Sequence, residues 1–457
     1  MHDDRHDDRF HSDRRSFLKA GAIAGLGAAL GGTRNATAAE EHGTGEARTQ
    51  FKVAPIKEVR VGFVGVGGMG SGHLDNYLRI DGVKVRAICD IVPAHVERAQ
   101  NAVVQAGQPK PTGYANGPTD FVRMCETEEL DLVMTATPWE WHVPVCEAAM
   151  KNGKHAATEV PAAMTLDDCW KLVETAEKLG KHCQMMENCC YDRIELMMLC
   201  MVRRGLLGEV LHAEAGYLHD LRGIKFANSG EGLWRRAWSQ KCNGNLYPTH
   251  GLGPVAQCMN INRGDALDYL VSMSGPSRGL HEFAVKNFGA DSPQAKEQFA
   301  LGDVNTSLIR TKLGKTIILI HDTGSPRPYS RIDLVQGTKG IAHKYPDRIY
   351  IEGKSQNDGW DDFEKFAAEY EHPLWKAHAQ QGEGRGHGGM DFIEDFRLIT
   401  SLQKGEPLDQ DVYDAAAWSA IVGASIESVA NRGKPVDLPD FTRGKWQTNP
   451  PLGIVES

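Results

Sequence analysis

Short apolar runs alternate with amphipathic stretches through the first part of the chain. Runs rich in Val, Ile, Ala and Met predict strands at residues 59–64, 83–89, 130–137, 154–158 and 182–186. Apolar positions at helical spacing predict a helix that ends at Leu78 and helices at 143–152 and 166–179. Strands that alternate with helices of this length predict a parallel, doubly wound α/β sheet.

The pattern changes after residue 190. A helix rich in Leu and Met at 194–202 precedes predicted strands at 210–217, 306–311, 316–321 and 332–336. Strands joined by glycine-containing turns predict a largely antiparallel sheet, and therefore a second, α+β domain. Two late helices, at 389–402 and 412–431, are expected to pack back across both domains.

A glycine-rich turn follows the first predicted strand, with the sequence GVGGMG at residues 65–70. Such glycines permit a tight turn and let the backbone approach a pyrophosphate, which then lies at the N-terminus of the next helix. Asp90 ends the second strand, where it can accept hydrogen bonds from a ribose and repel a 2′-phosphate. The sequence therefore predicts a Rossmann domain that binds NAD through Gly65, Gly67, Gly68, Met69, Gly70 and Asp90.

The first 38 residues have the pattern of an export signal. The string RRSFLK begins at Arg14, the apolar run 20–32 follows, and the small residues 36–38 form a cleavage site. The run is too short for a membrane anchor, which needs about 20 apolar residues. The leader predicts export of the folded protein by the twin-arginine machinery to the periplasm or the medium. A disordered basic tail is the alternative.

These patterns divide the chain into a leader at 1–38, a polar linker at 39–57, an NAD-binding domain at 58–190 and a substrate domain at 191–457. The net charge of −9 is spread over interspersed acids and bases, which does not favour a nucleic-acid partner. The ten cysteines form no CxxC pair and are expected to be buried free thiols. Scattered histidines without an HExxH motif give no prediction of a metal site.

The order of these motifs resembles the family of glucose–fructose oxidoreductase and inositol dehydrogenase. In that family an open-faced antiparallel sheet follows the Rossmann domain, and a Glu-Lys-Pro motif supplies a lysine that carries protons. Here the tripeptide is Glu159-Val160-Pro161. Because valine carries no proton, the usual alcohol dehydrogenation of the family is not expected.

One branch of that superfamily shares this change, namely glycoside hydrolase family 109, the NAD-dependent α-N-acetylgalactosaminidases. The chain resembles this branch over nearly its whole mature length, in the strings WEWH (139–142), GYLHDLR (216–222), NLYPTHGLGP (245–254), RPY (327–329) and HGGMDF (387–392). The resemblance implies a tightly bound NAD that takes hydride from C3 of the sugar. Loss of the C2 proton, elimination at C1, addition of water and return of the hydride then give hydrolysis with retention.

The resemblance also implies functional residues. The expected substrate is a small molecule or glycan with a terminal N-acetylhexosamine. The residues expected to contact this sugar are Tyr191, Arg235, Tyr247, Pro248, Thr249, His250 and Tyr329. Those expected to line NAD, besides the glycine loop, are Trp139, Glu140, Trp141, His142, Glu159, Val160 and Asn188. Tyr191, His250 and Tyr247 are the acid–base candidates, and Arg235 is expected to orient sugar oxygens. Tyr217 and His219 point to one face of a strand and are interpreted as a cavity wall or a polar sheet face.

Two rival functions remain open at this stage. A periplasmic sugar oxidoreductase that keeps its nicotinamide cofactor bound shares the fold and the export signal. A non-catalytic sugar-binding protein shares the fold alone. The open sheet face of the resembling family also suggests a homodimer.

Overall fold

The structure is a computed structural model that describes residues 45–455. The leader predicted at residues 1–38 lies outside the described residues. Between residues 45 and 455, no helix is both long and apolar enough to cross a membrane.

The first sheet has six parallel strands in the order β3-β2-β1-β4-β5-β6, the doubly wound arrangement predicted from the sequence. Its strands are β1 (Val59–Val64), β2 (Val83–Cys89), β3 (Thr112–Tyr114), β4 (Leu132–Thr135), β5 (His155–Thr158) and β6 (Cys183–Met185). Its helices are α1 (Met69–Tyr77), α2 (Pro93–Gln105), α3 (Asp120–Thr127), α4 (His142–Lys151) and α5 (Leu166–Leu179). Because both faces carry helices, β4, β5 and β6 are buried throughout.

Local signals set the ends of the predicted helix α5. The Thr165 hydroxyl accepts a hydrogen bond from the backbone N–H of Asp168, and the helix ends at Gly180, whose φ is 60°. Such clear signals explain why both bounds of this helix were predictable. By contrast, α2, β3 and α3 between residues 93 and 127 were not predicted, since both helices begin without a side-chain cap and β3 has only three residues.

The second sheet has eight strands in the order β13-β12-β11-β7-β10-β9-β8-β14. They are β7 (Val210–Leu218), β8 (Leu267–Ser274), β9 (Val304–Thr311), β10 (Thr316–Asp322), β11 (Leu334–Gly337), β12 (Gly340–His343), β13 (Arg348–Ile351) and β14 (Val436–Asp437). All neighbours are antiparallel except β7 and β10, which are parallel. The largely antiparallel sheet is therefore confirmed. In β9 buried and exposed residues alternate, which leaves one face open.

Within residues 45–455, nine helices accompany this sheet. They are α6 (Arg193–Arg203), α7 (Arg222–Lys225), α8 (Gly232–Lys241), α9 (Thr249–Cys258), α10 (Gly279–Phe288), α11 (Glu364–Tyr370), α12 (Pro373–Gly382), α13 (Met390–Lys404) and α14 (Val412–Ala430). Helix α13 packs on α1 of the Rossmann sheet, and α14 packs on both α5 and β8. These late helices place residues of the C-terminal half beside the glycine loop and the ends of β5 and β6.

Candidate active site

The loop after β1 leaves its backbone uncovered. Gly65 has a φ of +81°, and a Cβ atom there would lie 2.8 Å from the carbonyl oxygen of Ala136. A Cβ atom at Gly70 would lie 1.9 Å from the carbonyl oxygen of Gly65, so α1 approaches β1 this closely only with glycine. At Gly68 no described atom lies within 4 Å of such a Cβ. This open backbone at the N-terminus of α1 fits the pyrophosphate of a dinucleotide.

Asp90 connects the end of β2 to this loop. Its carboxylate accepts hydrogen bonds of 2.9 Å from the backbone N–H groups of Val66 and Val92, and Nδ1 of His95 lies 3.3 Å away. The side chain is nearly buried, so its negative charge stays beside the loop. A carboxylate in this place fits the hydroxyls of an unphosphorylated ribose.

The residues of the WEWH string have different surroundings. Trp139 packs against Tyr247 of the substrate half, with ring centroids 5.9 Å apart. Glu140 accepts a hydrogen bond from Nε1 of Trp238. The His142 ring is buried, and its two nitrogens contact the carbonyl oxygens of Thr137 and Pro161. Both polar atoms of His142 are therefore engaged by backbone at the ends of β4 and β5.

Four rings from three segments form an aromatic cluster, which we define as Tyr217, Tyr247, His250 and Tyr329. Tyr217 contacts each of the other three, with ring centroids 4.5 Å from Tyr247, 5.3 Å from His250 and 6.2 Å from Tyr329. The guanidinium of Arg235 lies 4.8 Å from the Tyr247 ring centroid. The structure thus brings together four residues predicted to contact the sugar, and adds Tyr217, which sequence reasoning left out.

Two glycines of α9 hold this cluster together. A Cβ atom at Gly251 would lie 2.4 Å from the backbone nitrogen of Gly216, so α9 contacts β7 directly beside Tyr217. A Cβ atom at Gly253 would lie 2.9 Å from Cγ of Glu187 and from Sγ of Cys190. Helix α9 therefore packs closely on both β7 and the segment after β6, and His250 lies between them.

His250 is paired with a buried carboxylate. Its Nδ1 atom lies 2.7 Å from Oε1 of Glu187, a side chain with no exposed surface. Burial alone would raise the pKa of Glu187, but the charge and hydrogen bond of His250 outweigh it and lower this pKa. The ionised carboxylate fixes Nδ1 as the donor, which leaves Nε2 of His250 to exchange a proton.

The phenols of Tyr217 and Tyr247 are held in the protonated state. Burial raises the pKa of Tyr217 to about 12 and that of Tyr247 well above its ordinary value, although the charge of Arg235 opposes both shifts. Around neutral pH these hydroxyls are hydrogen-bond donors and acids rather than bases. This leaves the imidazole of His250 as the candidate base among the four rings of the cluster.

Tyr191 does not belong to this cluster. Its hydroxyl donates to Oδ2 of Asp409 at 3.3 Å, and Asp409 also accepts two hydrogen bonds from Arg397. The Tyr191 side chain is buried, as are those of Tyr217 and Tyr247. The acid–base and sugar-binding roles expected of Tyr191 therefore stay a prediction, and Tyr217 is a further candidate for them.

The remaining predicted positions lie around the cluster. Pro248 and Thr249 are buried at the start of α9. Tyr329 is partly exposed, and its hydroxyl accepts a hydrogen bond of 3.0 Å from Arg331. Val160 is 2 % exposed and follows Glu159, whose carboxylate contacts His73 at 2.8 Å. The amide of Asn188 donates to Asp391 of α13 at 2.6 Å.

One group of side chains matches the ligand types of a transition metal. An oxygen of Glu187, Sγ of Cys189 and a ring nitrogen of His250 all lie within 4.8 Å of one another. Oxygen, thiolate and imidazole are the donors that Zn²⁺ binds in proteins. The sequence did not indicate this group, since His250 lies 63 residues from Glu187.

Comparisons with known proteins agree with this architecture. Residues 59–187 match the family model described as "Oxidoreductase family, NAD-binding Rossmann fold". Residues 191–448 match "Glycosyl hydrolase 109, C-terminal domain". Among solved structures, a levoglucosan dehydrogenase in complex with NADH and levoglucosan superposes with a TM-score of 0.65 at 19% identity, covering 84% of this chain and 100% of that chain. At this identity the likeness shows the fold.

Curated relatives are much more similar. A glycosyl hydrolase family 109 protein of Shewanella amazonensis is 48% identical over 97% of this chain and 99% of its own length. A Shewanella oneidensis protein named alpha-N-acetylgalactosaminidase is 46% identical over 97% of this chain and 98% of its own length. With both halves matched in this way, the chain belongs to glycosyl hydrolase family 109.

Proposed function

We propose that this protein hydrolyses terminal α-linked N-acetylgalactosamine with retention, by transient oxidation of the sugar at C3. The observation that carries this proposal is His250, held by the buried carboxylate of Glu187 and facing the phenols of Tyr217 and Tyr247. The name of the Shewanella oneidensis relative supports the substrate. The uncovered glycine loop beside Asp90 supports NAD as the cofactor.

Bound NAD would supply reversible hydride transfer at C3, and the protein would supply the rest. A ketone at C3 makes the neighbouring C2 proton acidic, and Nε2 of His250 removes it. Glu187 stabilises the imidazolium that results. The protonated phenols of Tyr217 and Tyr247 donate hydrogen bonds to sugar oxygens that become negative, and Arg235 attracts the same oxygens. Reprotonation of C2 by His250 follows the addition of water.

We propose that NAD stays bound and is recycled in each turnover. Elimination and addition of water leave the oxidation level of the sugar unchanged, so no external oxidant is consumed. The valine at position 160, with only 2 % of its surface exposed, also argues against net dehydrogenation, because the resembling oxidoreductases use lysine there. Net sugar oxidation is the outcome that would favour the rival oxidoreductase.

The test is a screen of α- and β-linked p-nitrophenyl glycosides with purified protein and no added NAD. We expect release of p-nitrophenol from the α-linked N-acetylgalactosaminide, with the α-anomer of the free sugar formed first in NMR spectra. Cofactor reduction by free sugars without cleavage of any glycoside would contradict the proposal. The variant His250→Ala is expected to bind NAD and sugar but to show no turnover. If the wild type itself bound sugar without turnover, the protein would be a sugar-binding protein rather than an enzyme.

We propose further that the twin-arginine machinery exports the folded protein with its NAD already bound. The twin-arginine string RRSFLK at 14–19 supports this route. Replacing Arg14 and Arg15 together by Lys is expected to retain the protein in the cytoplasm. Equal periplasmic amounts of variant and wild type would contradict this proposal.

A homodimer through the open face of the second sheet is also proposed. Leu308 on β9 and Met273 on β8 are 47 % and 69 % exposed. Sedimentation equilibrium is expected to give twice the chain mass, and the variant Leu308→Glu is expected to give the monomer mass. A monomeric wild type would contradict the dimer.

A further inference from the structure

A row of hydrogen-bonded side chains leads from the end of β5 into the protein interior. Oε1 of Glu159 lies 2.8 Å from Nε2 of His73, and Nδ1 of His73 lies 2.8 Å from Oδ1 of Asp395. Oδ2 of Asp395 accepts a hydrogen bond of 2.9 Å from the amide of Asn76. We name Glu159, His73 and Asp395 the proton row.

The proton row joins three elements of the fold. His73 and Asn76 lie on α1, the helix that follows the glycine loop, and Asp395 lies on α13 of the C-terminal half. Side-chain exposure falls along the row, from 15% at Glu159 to 1% at His73 and 0% at Asp395. Only the Glu159 end is therefore open to a ligand.

The contacts fix how many protons the row holds. Two carboxylates flank one imidazole, and each 2.8 Å contact between nitrogen and oxygen needs a proton between the two atoms. The row thus holds two protons and carries a net charge of −1. Burial alone would lower the pKa of His73, but the charges and hydrogen bonds of Asp395 and Glu159 raise it well above its ordinary value.

The groups around the inner end of the row are buried as well. Glu394, next to Asp395, is fully buried, and neither of its oxygens has a hydrogen-bond partner among the described residues. The buried Tyr77 hydroxyl also has no hydrogen-bond partner within residues 45–455. Burial, together with the charge of Asp395, raises the pKa of Glu394 well above its ordinary value. The proton row is therefore embedded among buried groups, where an uncompensated charge is costly.

We propose that Glu159, backed by His73 and Asp395, receives the hydroxyl proton when C3 is oxidised and holds it inside the protein until C3 is reduced again. This inference rests on the proposed function. The O3–H bond breaks and its proton passes to Glu159, while the C3–H bond breaks and its hydride passes to the bound nicotinamide dinucleotide. The electron pair of the O3–H bond forms the C3=O bond.

Charge balance is the physical reason for keeping the proton. Hydride transfer to a bound nicotinamide would remove the positive charge of its ring, and protonation of Glu159 removes the negative charge of the proton row. The buried site thus keeps the same total charge throughout the redox step. In a medium of low dielectric constant this avoids the cost of an unpaired carboxylate beside a neutral ring. His73 and Asp395 act through Glu159 and are positioning residues.

The test follows protons and cofactor together. Wild-type holoenzyme is mixed rapidly with methyl α-N-acetylgalactosaminide in weak buffer that contains a pH-indicator dye. Methoxide is a poor leaving group, so elimination is slow and the oxidised sugar accumulates. We expect the absorbance of the reduced nicotinamide to rise with no proton released to the dye. Release of about one proton per reduced cofactor would overturn the inference. No cofactor reduction would contradict the proposed function itself.

Two variants test whether retention of the proton depends on the proton row. The amide of His73→Gln can still donate to Glu159 but loses the contact with Asp395. We expect this variant to release about one proton per reduced cofactor and to show a fall in kcat without a matching rise in KM. The exposed His281→Gln on α10 is the matched control and is expected to release none. Proton retention by His73→Gln equal to that of the wild type would overturn the role of the row.

A spectroscopic measurement does not depend on turnover. In the cofactor-free protein, the two row protons are expected as two downfield proton resonances that are protected from exchange with water. Both should be absent from His73→Asn and present in His281→Gln. Their absence from the wild type would show that the row exchanges freely with solvent, which would overturn proton retention.

Discussion

The Nδ1 atom of His250 lies 2.7 Å from Oε1 of Glu187, and these two residues are brought together by the packing of α9 on the segment after β6. Gln410 holds the Glu187 backbone through hydrogen bonds to its N–H and C=O groups. The carboxylate thus has a fixed position and contacts Nδ1 of an imidazole whose ring packs against those of Tyr217 and Tyr247. A carboxylate that holds one ring nitrogen of a histidine is the arrangement that the proposed general-base role of His250 requires.

The variant Glu187→Gln tests this pairing. The amide keeps the shape of the side chain but removes the charge that stabilises imidazolium, so kcat is expected to fall by roughly 10²-fold or more. KM should change little, because Glu187 is buried and does not contact the sugar. Steady-state kinetics on the p-nitrophenyl substrate measure both values. The exposed Glu126→Gln is the control, and equal kcat values for the two variants would contradict the pairing.

The variants Tyr217→Phe and Tyr191→Phe distinguish the two tyrosines. The phenol of Tyr217 lies in the aromatic cluster, 3.1 Å from Nδ1 of His219, so loss of its hydroxyl is expected to reduce kcat by about 10-fold or more. Tyr191→Phe removes one hydrogen bond to Asp409 and should cost about 1 kcal/mol of stability with kcat unchanged. Urea unfolding and kinetics measure the two effects. The reverse order of kcat values would support the sequence-based assignment of Tyr191.

Much of the fold was predictable because its signals are local. The predicted strands at 59–64 and 83–89 and the helix at 166–179 have the observed bounds, since β-branched residues, turn glycines and a Thr cap mark them. The parallel pairing of β7 with β10 has no such signal, because almost a hundred residues separate these strands. Pairing at this distance depends on tertiary packing.

The candidate site was predictable in part for the same reason. The glycine loop, Asp90 and the string Tyr247 to His250 are contiguous or regularly spaced in the sequence. Sequence reasoning assigned no role to Glu187 and interpreted Tyr217 as part of a cavity wall or a polar sheet face, because their contacts with His250 join distant parts of the chain. His73 lies 86 residues before Glu159, and Asp395 lies much later in the chain. No spacing rule therefore connects the three residues of the proton row.

The variant Gly251→Ala is expected to separate α9 from β7. Its methyl group would lie 2.4 Å from the backbone nitrogen of Gly216. The backbone of β7 cannot move aside as the end of a flexible side chain could. We expect a loss of about 1–3 kcal/mol in the free energy of unfolding, with most of the activity lost because His250 moves. Gly423→Ala within α14 is the control, since its methyl group meets its nearest neighbour at an ordinary 3.5 Å. Unfolding curves in urea that coincide for wild type and Gly251→Ala would contradict this packing argument.

Zinc ions are expected to inhibit the enzyme reversibly. Glu187, Cys189 and His250 supply three ligand atoms, and a metal bound there would occupy the imidazole that removes the C2 proton. Burial raises the pKa of the Cys189 thiol, so zinc affinity should increase with pH as the thiol loses its proton to the metal. For each variant, rates at increasing zinc concentration are divided by the rate of the same variant without zinc, and the inhibition constant is obtained from these ratios. Cys189→Ala should weaken inhibition by about 10-fold or more, whereas the neighbouring Cys190→Ala should not, and equal effects would exclude this ligand set.

The variant Lys225→Met is expected to stabilise the protein below neutral pH. The ammonium group of Lys225 is buried and donates to the Thr323 hydroxyl at 2.8 Å, and burial, together with the charge of Arg235, lowers its pKa to about 7. Between about pH 7 and 10.5 the unfolded chain therefore binds one more proton at this residue than the folded chain. In that window the wild-type free energy of unfolding should rise with pH by roughly 1.4 kcal/mol per pH unit from this group. Lys225→Met lacks this contribution, so its advantage over the wild type should be largest at and below pH 7 and should decrease toward pH 10.5. Urea unfolding across this range measures the difference, with the exposed Lys241→Met as the control, and a difference that does not vary with pH would show that Lys225 keeps its ordinary pKa in the folded protein.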